Sequence, residues 1–261
     1  MAEISAPAKG TLPEGARTEA EASRAVREMF TQIAPRYDLL NHLLSLQLDR
    51  LWRARVARRF PSILDNPQSV VLDLCCGTGD LAFSLAHAGQ ARIMGADFSH
   101  AMLVRADEKR ESLASHHHSG TTTKMKFLEA DALRLPFADH SFDLVTTAFG
   151  FRNLANYESG LREIHRVLKP GGSLAILEFT EPSPGPIGNL YRWYFRNVLP
   201  RIGGFLSGDR SAYTYLPASV SRFFRPKELA TLMSNVGYQS VDFRVWTLGT
   251  VALHTGSSKN S

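Results

Sequence analysis

The sequence has 261 residues, 44% of them hydrophobic and 21% charged, with a formal net charge of +5. That length suits one sizeable core in a single α/β domain, and the apolar share excludes a wholly disordered chain. No apolar run reaches the ~18–20 residues of a membrane span. The two cysteines, Cys75 and Cys76, are adjacent, which excludes a disulfide framework and fits no zinc spacing.

Residues 1–23 are rich in Ala, Pro, Gly and Glu and poor in large apolar groups, so a disordered tail is expected there. No apolar signal stretch follows Met1. Glu3, Glu14, Glu19 and Glu21 outnumber Lys9 and Arg17, which argues against a transit peptide. From Ser23 the periodicity becomes helical: Val26, Met29, Phe30 and Ile33 share a face until Pro35 interrupts it. Leu40, Leu43 and Leu44 follow, then Leu48, Leu51, Trp52 and Val56 on a helix laced with Arg50, Arg53, Arg55, Arg58 and Arg59. Residues 24–66 therefore form a helical cap ahead of the first strand.

Strands and helices then alternate. Apolar runs predict strands near 69–74, 92–97, 126–130, 142–149 and 173–179, with helices near 81–88, 102–112 and 157–168 between them. Lys169-Pro170-Gly171-Gly172 stops the last of these helices. The triple His116–His118 lies in a polar Ser/Gly/Thr loop, which suits a solvated turn better than a metal site. Proline, glycine and aromatics dominate 183–222. A helix after Pro226 and two short strands, near 241–246 and 250–254, close the domain as an antiparallel pair at one sheet edge. The expected fold is a mostly parallel sheet with helices on both faces over 67–256, carrying an insertion at 183–225 and a short tail at 257–261.

The most informative stretch is Val70-Val71-Leu72-Asp73-Leu74-Cys75-Cys76-Gly77-Thr78-Gly79-Asp80. A buried strand runs into a turn with two glycines and then into a helix. Glycines let backbone approach a ligand closely, and free N–H groups at the helix start can donate to it. Asp97 closes the second strand, where an acid can accept hydrogen bonds from ribose hydroxyls. A dinucleotide loop would carry a third glycine, but Gly79 is followed by Asp80, Leu81 and Ala82. Asp80 would also repel a pyrophosphate. An acid suits a cationic or zwitterionic nucleoside such as S-adenosylmethionine (SAM).

The segments D-L-C-C-G-T-G-D, G-A-D-F-S, E-A-D-A-L-R-L-P-F, F-D-L-V and L-R-E-I-H-R-V-L-K-P-G-G-S-L, in this order, resemble the class I SAM-dependent methyltransferases over roughly Val70 to Phe179. That resemblance implies a Rossmann-like, seven-stranded sheet with SAM as cofactor. It implies ribose binding by Asp97 and an adenine flanked by Asp131 and Ala132. Asp73, Gly77, Thr78, Gly79 and Phe98 complete the expected cofactor set.

Three further runs are more specific: Met29 to His42 (M-F-T-Q-I-A-P-R-Y-D-L-L-N-H), Ala148 to Leu154 (A-F-G-F-R-N-L) and Ala212 to Val220 (A-Y-T-Y-L-P-A-S-V). With Gly249 to His254 they resemble the ubiquinone/menaquinone biosynthesis C-methyltransferases, over about Arg24 to Gly256. The resemblance implies methylation of a ring carbon of a polyprenylated quinol. In the menaquinone branch demethylmenaquinol becomes menaquinol; in the ubiquinone branch a methoxy-polyprenyl-benzoquinol is methylated. The run Met29 to His42 leans toward menaquinone. Ala148 stands where some relatives have Ser.

A quinol carbon ortho to a hydroxyl becomes a nucleophile once that hydroxyl loses its proton. The enzyme must hold the carbon near the methyl group, exclude water and help the proton leave. Arg152 and Asn153, after the fourth strand, and Tyr37, in the helical cap, are the candidate catalytic residues. Arg stays protonated, so Arg152 is expected to stabilise a developing phenolate or hold a water rather than act as a simple base. Tyr37, Asp38 and Asn41 are expected to form a lid over the cofactor. His165 is expected to pack, and the cysteines to lie inert beside the cofactor.

The rivals are a nucleic-acid methyltransferase and a non-enzymatic SAM-fold binding protein. An amino-directed base enzyme needs a D/N-P-P-Y-type run after the fourth strand, and Phe149-Gly150-Phe151-Arg152 stands there instead. No RNA-binding module is appended. The basic charge concentrates in 183–227, where seven Lys or Arg residues meet one acid among aromatics. Such a pattern can bind single-stranded nucleic acid and also suits anionic lipid; a quinol that lives in the bilayer favours the second. The segment is therefore expected to be both substrate lid and peripheral membrane contact, on a cytoplasmic protein at the inner face of the cell membrane.

Overall fold

The computed structural model describes residues 10, 11, 13, 15–38, 45, 47–116, 124–182, 185, 188, 193 and 211–260. Most of the 183–227 segment, Asn41 and the histidine triple thus lie outside the described residues or their side chains.

Seven strands form one sheet: β1 (Val70–Leu74), β2 (Arg92–Asp97), β3 (Met125–Glu129), β4 (Phe142–Ala148), β5 (Leu168–Phe179), β6 (Gln239–Trp246) and β7 (Val251–Ser257). Their order is β3-β2-β1-β4-β5-β7-β6. The first five are parallel, and β7 runs antiparallel to both β5 and β6. The order reverses between β1 and β4, so a crevice opens at their carboxyl ends.

Eight helices accompany the sheet among the described residues: α1 (Glu19–Ile33), α2 (Leu48–Ala57), α3 (Pro61–Leu64), α4 (Asp80–His87), α5 (His100–His116), α6 (Tyr157–Val167), α7 (Ser211–Arg222) and α8 (Pro226–Val236). Alternation along β1 divides the core. Leu72 and Leu74 face Leu161, Ile164 and Val167 of α6 and Leu229 and Met233 of α8. Val71 faces the other way, toward Trp52 and Val56 of α2 and Leu81 and Leu85 of α4. Asp73 has the parity of Val71 and so is carried to that second face, beside Thr146, its register partner on β4.

Two expectations are corrected. The tail does not extend to residue 23: α1 begins at Glu19, because Thr18 accepts the Glu21 N–H and the Glu21 carboxylate accepts the Thr18 N–H. Upstream, the Thr11 N–H donates to the Leu154 carbonyl at 2.8 Å, and the Thr11 and Tyr215 hydroxyls bond at 2.8 Å. A Cβ on Gly10 would lie 1.8 Å from the Ala155 carbonyl oxygen, so only glycine fits that approach. The strand expected from residue 173 begins at Leu168, since the backbone pairs with β4 on both sides of a register shift.

Candidate active site

A cleft of about 650 Å³, including its open mouth, lies at the carboxyl ends of β1, β2 and β4. Leu74 and Cys75 reach it from β1, Asp97 and Phe98 from β2, and Phe149, Gly150 and Asn153 from β4. The loop after β1 takes the left-handed conformation at Cys75, Gly77 and Gly79. A Cβ on Gly79 would sit 2.9 Å from the Phe127 ring, so packing as well as conformation demands glycine there.

Asp97 joins the two loops. One oxygen accepts the Gly77 N–H at 2.9 Å and the other accepts the Ser99 N–H at 2.9 Å. Burial pushes its carboxyl up to about 6, while the Ser99 and Gly77 amides hold it back. Asp131, Ala132 and Leu133 line the cleft beyond Phe98. A carboxylate for hydroxyls, an apolar slot for a flat base and an acid at the slot's edge match the chemistry of an adenosine.

Thr78, Gly79 and Asp80 are not among the lining residues. Thr78 donates to Asp38, and the Lys109 Nζ bonds Thr78 at 3.0 Å, Asp80 at 2.8 Å and Asp38 at 2.6 Å. Arg53 approaches Asp80 at 3.2 Å. The expectation that Asp80 charges the cleft is therefore corrected: Lys109 and Arg53, which also pair with Asp38 and Asp49, engage it, and among the described residues the lining acids are Asp97 and Asp131. Asp73 lies beneath the loop, accepting from the Thr146 hydroxyl at 2.9 Å, with its carboxyl pushed up to about 7 by burial. It does not line the cleft either.

After β4 the chain turns sharply. Phe149 has φ 61°, a strained value for a bulky residue, and a 3₁₀ turn follows at Phe151–Asn153. Arg152 donates to the Phe149 carbonyl, to the Glu178 carboxylate at 2.8 Å and to the Ser219 hydroxyl at 3.3 Å. Its own N–H donates to Glu178 at 3.1 Å. Both charged residues are buried, Arg152 at 5% exposure and Glu178 at 1%. Asn153 does line the cleft, and its side-chain oxygen accepts from the Tyr215 hydroxyl at 3.0 Å. Tyr37 lines the cleft beside Gly77, edge-on to Phe30 with ring centroids 6.0 Å apart. The structure thus brings Tyr37, Asn153, Gly77, Asp97, Phe98, Asp131 and Ala132 to one cleft. Arg152, Asp73, Thr78 and Gly79 lie around it.

A model of the ubiE/COQ5 methyltransferase family matches residues 17–258. The chain belongs to that family. It is 48% identical over 229 residues to a demethylmenaquinone methyltransferase of Thermus thermophilus, spanning 87% of this chain and 99% of that one. It is 46% identical over 237 residues to a Deinococcus radiodurans protein of the same name, spanning 90% and 93%. In fold it is similar to a SAM-dependent methyltransferase from Aquifex aeolicus, with a TM-score of 0.53, 19% identity, and 74% and 84% coverage. This member of the ubiE/COQ5 methyltransferase family is accordingly a SAM-dependent enzyme with the class I sheet.

Some lining residues of this family member escaped the sequence reading. Ser23 and Phe30 of α1 and Met102 of α5 all face the cleft. Phe30 stands in the sequence as part of an apolar helix face and of the Met29–His42 run, and neither pattern marks it as a wall of the cleft. His165 packs edge-on against Tyr238, centroids 5.0 Å apart. Burial pushes both cysteine thiols well above their ordinary range, so neither is a ready nucleophile.

Gly150 carries a sharp expectation. A Cβ there would lie 2.3 Å from the Cys75 Cβ, between the loops after β1 and β4. Gly150→Ala should cost about 1–3 kcal/mol of stability by overpacking and weaken SAM binding about tenfold. Denaturant titration and calorimetric SAM titration measure the two effects. Unchanged values in both would show that this close approach is dispensable.

Proposed function

We propose that this protein transfers a methyl group from SAM to a ring carbon of demethylmenaquinol, giving menaquinol, as a peripheral protein of the inner face of the cell membrane. The observation that carries the reading is the shared cleft: the adenosine-type residues Asp97, Phe98 and Ala132 line it together with Phe30, Tyr37, Phe149 and Asn153. When bound, SAM supplies the methyl group as an electrophile. The aromatic and apolar walls suit a flat bicyclic quinol and keep water from the reacting carbon.

Asp97 holds the ribose, Asp131 and Ala132 flank the base, and Gly77 gives the backbone close approach. Asn153 is fixed by Tyr215 and orients the quinol oxygen with its remaining polar capacity. Tyr37 closes the cap side. Arg152 is a positioning residue in this reading: Glu178 engages its guanidinium, which holds the Phe149 carbonyl and so the bend that presents Asn153. Arg152→Lys keeps the charge but loses the fork, so turnover should drop while SAM affinity stays near wild type.

The ubiquinone branch, with a methoxy-polyprenyl-benzoquinol, is the second reading. The names of the Thermus and Deinococcus relatives favour the first. Purified protein supplied with SAM and reduced demethylmenaquinone in detergent should give menaquinol by mass spectrometry, at a higher kcat/KM than the benzoquinol gives. The reverse preference would transfer the assignment to the ubiquinone branch, and methylation of nucleic acid instead of either quinol would end both readings.

A further inference from the structure

No helix among the described residues is long and apolar enough to cross a membrane. A surface beside the cleft nevertheless exposes apolar side chains in a field of arginines. The turn between β6 and β7 (Thr247–Gly249) lies at the carboxyl edge of the sheet, because Phe179 at the end of β5 pairs with Val251, which pairs with Trp246. This is the edge on which the cleft opens. Leu248 at the turn is 67% exposed and Leu51 on α2 41%, whereas Val245 alternates with Trp246 and points to the other face of the sheet.

Helix α2 and the turn form one rigid corner. The Trp52 Nε1 donates to the Thr247 hydroxyl at 2.9 Å, and the Arg55 guanidinium lies 5.7 Å from the Trp246 ring centre. Trp52 also packs against Phe149 of the cleft wall, with centroids 5.9 Å apart. Arginines outnumber acids at this corner, although Glu181 is an exposed acid beside the turn, since the N–H of the preceding Thr180 donates to the Thr250 carbonyl. Arg50, Arg55, Arg58 and Arg59 are exposed on and just after α2, while its acid Asp49 is buried against Arg53. Leu51, Arg55 and Arg58 share one exposed stripe at helical spacing. Arg244 extends the basic field along β6, whose exposed acid Asp242 stands four residues from Trp246.

Leu248 also has φ 57°, where a bulky residue is strained and Asn or Gly would sit more easily. An exposed leucine held in a strained turn gains nothing within the fold.

We infer that Leu248 and Leu51, with the arginines of α2, form the surface on which this enzyme docks to an anionic lipid bilayer. The apolar tips enter the acyl boundary while the guanidinium groups meet headgroup phosphates. Charge complementarity selects this occupant. A second copy would set arginines against arginines, and separated apolar tips fall short of the roughly 800 Å² per partner of a stable protein interface. Docking here turns the cleft-bearing edge of the sheet toward the bilayer. The inference rests on reading the substrate as a membrane quinol, and it identifies a membrane contact separate from the 183–227 segment.

The test is co-sedimentation of the full-length protein with phosphatidylcholine vesicles, with and without roughly a third phosphatidylglycerol. Wild type should bind the anionic vesicles and lose most binding to neutral ones. Leu248→Asn relieves the strained backbone, so it should fold at least as well as wild type, yet partition about tenfold less. Arg58→Glu and Arg59→Glu should each weaken partition about fivefold or more. Turnover of a short-tailed, water-soluble quinol should be unchanged in all three.

Equal binding to neutral and anionic vesicles, or unchanged partition in all three variants, would overturn the inference. So would a dimer in solution that Leu248→Asn splits while wild type ignores vesicles. Absence of turnover on the soluble quinol would instead count against the substrate reading, and the vesicle arm would still decide the docking surface.

Discussion

Glu178→Ala should be the most destabilising single change around the site, by about 3–5 kcal/mol. The Glu178 carboxylate accepts from the Arg152 guanidinium at 2.8 Å, from the Arg152 N–H at 3.1 Å and from its neighbour's N–H, at Phe179, at 2.9 Å. Removing it leaves a buried cation without its counter-charge and two amide donors without an acceptor. A buried pair need not stabilise the fold over apolar residues of the same size, so a double replacement of Arg152 and Glu178 by Met should recover part of the loss. Turnover should fall more than SAM affinity in Glu178→Ala, because Arg152, which holds the carbonyl of the strained Phe149 bend, loses the carboxylate that orients it. Urea denaturation of the single and double variants measures this. A single-variant loss below about 1 kcal/mol would mean that the guanidinium escapes to water and the pair is not structural.

The second large effect concerns Asp97. Asp97→Ala should lower SAM affinity about 100-fold, by removing a charged acceptor for ribose and the anchor of the Gly77 and Ser99 amides. The same residue predicts a pH dependence. Burial sets the Asp97 carboxyl at about 6. Above that value it is ionised and accepts from the ribose hydroxyls; below it the added proton removes that capacity. Wild-type affinity should be flat above about pH 7 and fall toward tenfold per pH unit below 6. Asp97→Asn should be weak and nearly pH-independent across the same range. Calorimetric titration at several pH values tests this, and a wild-type profile matching the Asn variant would remove Asp97 from the ribose role.

The sheet was legible in the sequence because buried parallel strands appear as short apolar runs, and β2 was bounded correctly at both ends. The cofactor loop was legible because two glycines between a buried strand and a helix leave open the space that side chains would fill. Side-chain direction was harder. Asp73 and Asp80 looked like cleft residues by position, but strand parity carries Asp73 to the face under α4, and Lys109 and Arg53 occupy Asp80. Those cations lie 29 and 27 residues away along the chain, so no local pattern connects them to Asp80.

Arg152 shows the same limit with a missed signal. Glu178 is an acid inside an otherwise apolar strand, Leu174-Ala175-Ile176-Leu177-Glu178-Phe179. A charge buried there requires a partner, and the loop after the neighbouring parallel strand offers an arginine. The Gly10 and Thr11 contacts with Ala155, Leu154 and Tyr215 had no comparable signal, since composition alone marks that stretch as a tail.

Carbon methylation of a quinol by this chain can be read from a single product. SAM labelled with ¹³C at the methyl group, reduced demethylmenaquinone and the purified protein are combined, and the quinol is examined by NMR. A labelled methyl carbon bonded to the aromatic ring is expected, with turnover that collapses in Asp97→Ala. A labelled methoxy carbon, or no labelled quinol despite measured SAM binding under reducing conditions, would contradict the proposed reaction.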